Sequence, residues 1–244
     1  MTYSSKALGR ILEAYLKLSS ASSKVEIDEI SDHALIPREE VEEILKSLRL
    51  YDEKTMQVDG EMRVSAALKA LEIGVEGERI SRYLTWREFE ALAERAFRKA
   101  GYQTIYDLRL SYLGRRCQID LLAWREGIIL VIDCKHWAKP PSPSEEREII
   151  SAQERRLIIL RDSLRALFEG KGDFIKTFLI PVSLTLYQPS KKILQGHLFA
   201  SIGRLRGLLE YLESAYYELR HERIEVPREL SLKEIISRLA SRPV

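Results

Sequence analysis

Leu8, Ile11, Leu12, Tyr15 and Leu16 recur at the three- and four-residue spacing that places them on one face of a helix. Ser19 to Ser23 interrupts that pattern. Ile27, Ile30, Ala34 and Leu35 predict a short second helix. Pro37 suits the first turn of a third, whose buried stripe would be Val41, Ile44, Leu45 and Leu48. Asp59-Gly60 then stands between Met56–Val58 and Glu61–Val64 and reads as a tight hairpin turn, because Asp-Gly accepts positive φ. Ser65 to Tyr83 reads as a connecting helical pair interrupted at Gly74.

A second domain should begin near Leu84. Thr85 with Glu88 three residues on makes a capping box. Phe89, Leu92, Ala93, Ala96, Phe97 and Ala100 supply the apolar face, and Gly101 ends the helix. Tyr102–Leu113 reads as a strand, Gly114-Arg115-Arg116 as a turn and Gln118–Trp124 as a second strand. Glu126-Gly127 is a second turn and Ile128–Lys135 a third strand. Ile128 to Ile132 is apolar at every position, as in a central strand covered on both faces. Pro140, Pro141 and Pro143 mark a rigid loop. A long helix over Glu145–Glu169, a strand over Phe174–Leu186 and a helix over Ile202–Leu219 complete an α-β-β-β-α-β-α order. That order predicts an α/β domain with a mixed sheet flanked by helices.

Three helices followed by a hairpin resemble a winged helix-turn-helix, a small α+β fold. The expected organisation is therefore such a domain over residues 1–83 and the sheet domain over 84–244. Between Pro37 and Arg49 the would-be recognition helix carries Glu39, Glu40, Glu42 and Glu43 against Arg38, Lys46 and Arg49. Carboxylates early in a helix suit its dipole but repel phosphates. Docking to a protein partner competes with DNA contact here. Residues 1–83 hold 12 Lys+Arg and 16 Asp+Glu, whereas 84–244 hold 27 and 21. A basic second part is compatible with a phosphate-rich partner and equally with ordinary surface charge.

The 244 residues are 45% hydrophobic and 31% charged, enough apolar material for two cores. The excess of Arg over Lys hints at a heat-adapted source. No apolar run is long enough to cross a bilayer, and Met1–Arg10 lacks the apolar centre of a secretory signal. Cys117 and Cys134 form no disulfide framework or metal pattern. His33, His136, His197 and His221 have no ligand spacing. A cytoplasmic protein without membrane association is the expectation.

The chemistry gathers where acids interrupt strands. Burying an unpaired carboxylate is costly, yet Asp120 breaks Ile119-Asp120-Leu121-Leu122 and Asp133 follows Leu130-Val131-Ile132. Lys135, two residues on, leaves the same strand face as Asp133. A hairpin between the two aspartates can bring them together on adjacent strands, and hard cations such as Mg²⁺ want such oxygen donors. A structural alternative stays open at each position. Asp120 could pair with Arg115 or Arg116, and Asp133 with Lys135 could be a plain same-face pair.

Ile119-Asp120, then an apolar strand into Asp133-Cys134-Lys135, resembles the PD-(D/E)xK nuclease motif. With Phe89-Glu90 and Lys99-Ala100-Gly101-Tyr102 before it, the segment is similar to Mrr-like type IV restriction endonucleases and archaeal Holliday-junction resolvases. The resemblance covers about Leu84 to Trp137 and implies a restriction-endonuclease-like fold. It also implies Mg²⁺- or Mn²⁺-dependent hydrolysis of phosphodiester bonds, in DNA, in restriction or repair. Asp120 and Asp133 would be metal ligands, Lys135 would orient or help deprotonate water, and Glu90 would complete the site. Glu88 is the competing helix carboxylate, with a structural use in the capping box. Gln153 matches a polar residue that some relatives place near the site, and Arg115 and Arg116 are candidate nucleic-acid contacts. Arg115-Arg116-Cys117-Gln118 stands where Mrr-like relatives often carry glycines. A homodimer is a further expectation. The rival readings are an inactive nuclease fold that binds DNA or acts as a scaffold, and a winged-helix transcription regulator.

Overall fold

The computed structural model describes residues 4–51, 57–137, 139–168, 173–187, 189 and 191–240, excepting the side chains of 206, 213–215 and 240. The chain divides into two compact units, Met1–Arg95 and Ala96–Val244.

The first unit holds α1 (Ser5–Ala21), α2 (Ile27–Ala34), α3 (Arg38–Ser47), α4 (Gly60–Glu72), α5 (Gly77–Ser81) and the start of α6 (Trp86–Lys99). Ile11, Leu12, Tyr15 and Leu16 are buried along α1, and Val41, Ile44 and Leu45 along α3, as their spacing predicts. α1 runs on to Ala21, past the expected break at Ser19. The hydroxyls of Ser19 and Ser20 donate back to the carbonyls of Leu16 and Lys17, so these serines fit the helix end.

The expected hairpin is replaced by a helix start. Asp59 is the N-cap of α4, and its carboxylate accepts the Met62 N–H at 2.8 Å. Asp-Gly serves a helix start as well as a turn, because Asp is a preferred N-cap and Gly60 then needs no positive φ. Glu61–Val64 is thus helical, and Met56 lies outside the described residues. Among the described residues the β-structure of this unit is an isolated antiparallel bridge, Lys24 to Gln57.

Arg63 on α4 is the unit's buried polar centre. It donates to Glu88, to the Leu16 carbonyl, to Ser19 and to the Tyr83 carbonyl. The capping box that opens α6 stands as the sequence predicts. Thr85 Oγ1 accepts from the Glu88 N–H at 3.3 Å, and Glu88 Oε2 accepts from the Thr85 N–H at 2.7 Å.

The second unit is built on a seven-stranded mixed sheet. β1 (Gln103–Tyr112), β2 (Arg115–Arg125) and β3 (Ile128–Lys135) form an antiparallel meander. Two turns join them. Leu113-Gly114 and Glu126-Gly127 have positive φ at both residues, the geometry that matches the strand twist in a two-residue hairpin. The expected turn at Gly114–Arg116 therefore shifts back by one residue, and Arg115 and Arg116 open β2 instead.

After β3 the chain crosses through α7 (Pro143–Leu167) to β4 (Phe174–Thr185), which pairs parallel to β3 in register Ile129 to Leu179 and Asp133 to Ser183. α7 starts at Pro143 rather than Glu145. Ser142 caps it, Glu145 closes the capping box, and Pro at the first turn needs no partner.

The remaining edge combines β5 (Ile193–Leu194), β6 (His197–Ser201) and β7 (Glu222–Pro227). β6 lies parallel to β4 from Val182 onward, while β7 lies antiparallel to β4 up to Leu179. Pro181, which has no N–H to donate, falls in the gap between those two partners. The sequence reading missed these short strands and α9 (Leu232–Ala240). The expected helix over Ile202–Leu219 is α8 (Leu205–Ala215) between two 3₁₀ turns, Ile202–Arg204 and Tyr216–Glu218.

On the α7 side of the sheet, Leu122, Trp124, Ile129 and Val131 join Leu157, Leu160 and Leu164 of α7 and Ile235 of α9 in one core. Each such side chain contributes roughly 1.5–3 kcal/mol on burial. This core continues along β2 and β3 toward the buried acids Asp120 and Asp133.

Candidate active site

The antiparallel register fixes where the two strand acids meet. β2 and β3 pair Trp124 with Ile129, Leu122 with Val131 and Leu121 with Ile132. One step further along the same register, Asp120 falls opposite Asp133. Side chains alternate in strands, so Asp120 shares a face with Leu122 and Trp124, and Asp133 and Lys135 share it with Ile129 and Val131. That is the face α7 packs against.

Both acids are buried, Asp120 at 8% and Asp133 at 1% exposure. Asp120 Oδ2 accepts the Cys134 N–H at 2.8 Å, which ties it to β3 rather than to Arg115 or Arg116. Burial pushes the Asp120 carboxyl above its ordinary value. The Cys134 hydrogen bond opposes that, the nearby Asp133 charge adds to it, and Lys135 and Arg156 oppose it.

Asp133 is flanked by two cations. Lys135 Nζ lies 3.1 Å from Oδ2, and Arg156 Nη2, from α7, lies 3.1 Å from Oδ1. Neither contact is aligned as a hydrogen bond, so both Asp133 oxygens have ion-pair neighbours but no directed donor. Arg156 itself is anchored, since its Nε donates to the Gln118 carbonyl at 2.8 Å.

Gln153, one turn before Arg156, is buried. Its Nε2 donates to the Val131 and Val182 carbonyls on two adjacent parallel strands, at 3.1 and 2.8 Å. Its Oε1 and Arg156 Nη1 are buried without a hydrogen-bond partner among the described residues. Orphaned polar atoms of this kind cost stability and are rare unless they serve something else.

The structure thus brings together Asp120, Asp133 and Lys135, with Gln153 bonded to the same strand two residues before Asp133. Glu90 stands on the first-unit part of α6 and is 3% exposed. Glu88 is already committed to Thr85 and Arg63. Arg115 and Arg116 are exposed, and Arg115 pairs with Asp162 at 2.9 Å.

Arg156 is the residue the sequence reading missed. The available signal was its spacing: it follows Gln153 by three residues and so shares a helix flank with it.

The donor set suits a hard divalent cation. Two oxygen-bearing side chains face each other, and Mg²⁺ commonly takes one or two carboxylates and fills its remaining positions with water and substrate phosphate. Among the described residues no group of three His, Cys, Asp or Glu is arranged to hold a metal. Asp120 and Asp133 are a pair, and they could hold such an ion only with water and phosphate completing its shell. No helix among the described residues is long and apolar enough to cross a membrane.

Residues 81–157 match the model of a restriction endonuclease family, Mrr_cat. The match takes in Glu90, Asp120, Asp133, Lys135, Gln153 and Arg156, and it suggests a nuclease of the restriction-endonuclease type. The mixed sheet flanked by helices is consistent with that fold. No curated protein matches the chain. One solved structure, the crystal structure of protein of unknown function AF1548, matches at 15% identity and a TM-score of 0.29. It covers 42% of this chain, and the match spans about half of that one, 47%.

Proposed function

We propose that residues 84–244 act as a divalent-metal-dependent nuclease that hydrolyses phosphodiester bonds in DNA, in a restriction or repair setting. The observation that carries this reading is the buried Asp120 carboxylate bonded to the Cys134 N–H, next in the chain to the buried Asp133, which Lys135 flanks.

Asp120 and Asp133 would hold the cation. When bound, such an ion supplies Lewis-acid charge at a phosphate oxygen. The chain's own groups do the rest. The Cys134 N–H fixes one Asp120 oxygen, so this carboxylate is oriented before any ligand arrives. Lys135 is a mobile point charge on a four-carbon stem, paired with Asp133 at rest and able to turn toward an attacking water and the charge that develops on phosphate. The resemblance assigns Glu90 a completing role, which Glu90→Gln tests.

The first unit is proposed as a docking module for a protein rather than a groove reader. Glu39 and Glu43 of α3 are exposed, and a phosphate backbone would meet them as like charges.

The test is cleavage of a panel of plasmid, linear, single-stranded and branched DNA, with RNA alongside, in Mg²⁺, Mn²⁺ or EDTA. Cleavage of DNA that EDTA abolishes is the expected result. Tight DNA binding with no cutting on any substrate and in either metal would replace this reading with that of an inactive nuclease fold.

A further inference from the structure

Arg156 belongs to no motif read from the sequence, yet it holds the most buried acid of the candidate site. Its guanidinium is fixed at one side by the Nε bond to Gln118 O at 2.8 Å and set against Asp133 Oδ1 at the other, 3.1 Å away. Lys135 takes the second Asp133 oxygen at 3.1 Å. Two carboxylates and two cations make a cluster with no net charge. A divalent cation entering it meets two positive groups already seated on its best ligand, so its binding is opposed by charge.

The same guanidinium is incompletely satisfied. Arg156 Nη1 is buried with no hydrogen-bond acceptor among the described residues, and its contact to Asp133 is an ion pair without hydrogen-bond alignment. A planar guanidinium is suited to bind two oxygens of one phosphate at once. A phosphodiester would supply the acceptors that Arg156 lacks and negative charge to offset that of an entering cation.

We propose that Arg156 is a positioning residue that occupies Asp133 in the resting protein and transfers to a substrate phosphodiester, so that divalent metal and nucleic acid bind cooperatively. This rests on the nuclease reading above. It makes the metal-free, nucleic-acid-free protein a poor metal binder by construction.

The experiment is Mn²⁺ binding to the full chain, followed by the electron paramagnetic resonance signal of free Mn²⁺. Wild type, R156Q, R156K and D133A are compared without nucleic acid and with a cleavage-resistant phosphorothioate duplex, whose own Mn²⁺ uptake is subtracted. R156Q keeps donors but loses the charge, and should bind Mn²⁺ about tenfold tighter than wild type without duplex. R156K keeps the charge and should stay within about twofold of wild type, which a purely structural role would not predict. Duplex should tighten Mn²⁺ binding by about tenfold or more in wild type and by much less in R156Q.

Equal or weaker Mn²⁺ binding by folded R156Q without duplex overturns the inference and leaves the nuclease reading standing. If R156Q does not fold, the wild-type comparison decides, and no tightening by duplex overturns it. Absence of any Asp133-dependent Mn²⁺ binding in every arm overturns the nuclease reading and this inference with it.

Discussion

Two polar clusters share helix α7, and they are built on opposite principles. On one flank, Glu154 accepts from His197 Nε2 at 2.9 Å and from Arg220 through Nε at 2.7 Å and Nη2 at 3.0 Å. Arg220 continues to Glu222 at 2.7 Å, Glu222 to Arg161 at 3.1 Å, Arg161 to Asp162 at 2.7 Å, and Asp162 to Arg115 at 2.9 Å. This chain of alternating charges links β2, α7, β6 and β7. On the other flank stands the Asp120–Asp133–Lys135–Arg156 cluster.

The acids of the network lie below their ordinary values. For Glu154, burial works upward but the hydrogen bonds from Arg220 and His197 outweigh it. For Glu222, burial is likewise outweighed, by Arg220 and Arg161. Asp120 lies above its ordinary value, with burial leading, and Asp133 has no aligned donor. The first cluster is satisfied and holds the fold. The second leaves polar atoms of Asp133, Gln153 and Arg156 without a hydrogen-bond partner among the described residues, atoms that the proposed site would use.

The largest expected effects lie on the second cluster. Asp133→Ala and Asp120→Ala should each lower the DNA cleavage rate by at least about a thousandfold, measured with saturating Mg²⁺. Lys135→Met should cost roughly a hundredfold or more, and addition of extra metal should not restore it. Retained cutting in any of these variants would break the division between the two clusters.

Effects on the network should appear in stability instead. Glu154→Ala removes the acceptor that His197 and Arg220 share and leaves Arg220 on Glu222 and the His221 carbonyl. The pair is partly exposed, so the cost should be about 2 kcal/mol, between that of a surface pair and a buried one. A domain this size should melt roughly 5 °C lower, with cleavage per folded molecule unchanged.

The smallest effect is on pH dependence. Burial holds the His197 imidazole below its ordinary value, with Glu154 opposing. The unfolded chain therefore takes up a proton more readily than the folded one. The stability this residue contributes is present above the ordinary histidine value and is lost as pH falls through the lower folded value. His197→Gln should flatten that acid-side decline in a melting series, and an unchanged slope would remove His197 from the account.

Much of this division was legible in the sequence, but unevenly. Apolar periodicity predicts α1, α2 and α3 of the first unit. It also predicts the β1–β3 meander, because Gly114 and Gly127 mark its two-residue turns and Ile128–Ile132 is uniformly apolar. Asp120 and Asp133 stand out because carboxylates interrupt runs of buried apolar residues, Ile119 to Trp124 and Ile129 to Cys134.

The rest depends on contacts distant in the chain. Asp59-Gly60 becomes a turn or a helix start according to its tertiary surroundings, and local chemistry permits both. β6 and β7 are short and gain their strand character from pairing with opposite halves of β4. Arg156 carries no motif, and its role comes from α7 crossing the end of β3. The Glu154 network joins residues up to 66 positions apart, which no local pattern encodes.

The most direct test of the division sets Asp120→Asn beside Glu154→Gln, with cleavage rate and melting temperature measured on the same preparations at pH 7. The folded Asp120 carboxyl holds its proton to higher pH than the unfolded one. Its ionisation therefore costs stability once pH passes its ordinary value, and Asn removes that cost while still accepting from Cys134. The account predicts that Asp120→Asn loses cleavage and melts no lower than wild type, whereas Glu154→Gln keeps cleavage and melts lower. Lower melting with retained cleavage in Asp120→Asn, or lost cleavage with unchanged melting in Glu154→Gln, would contradict it.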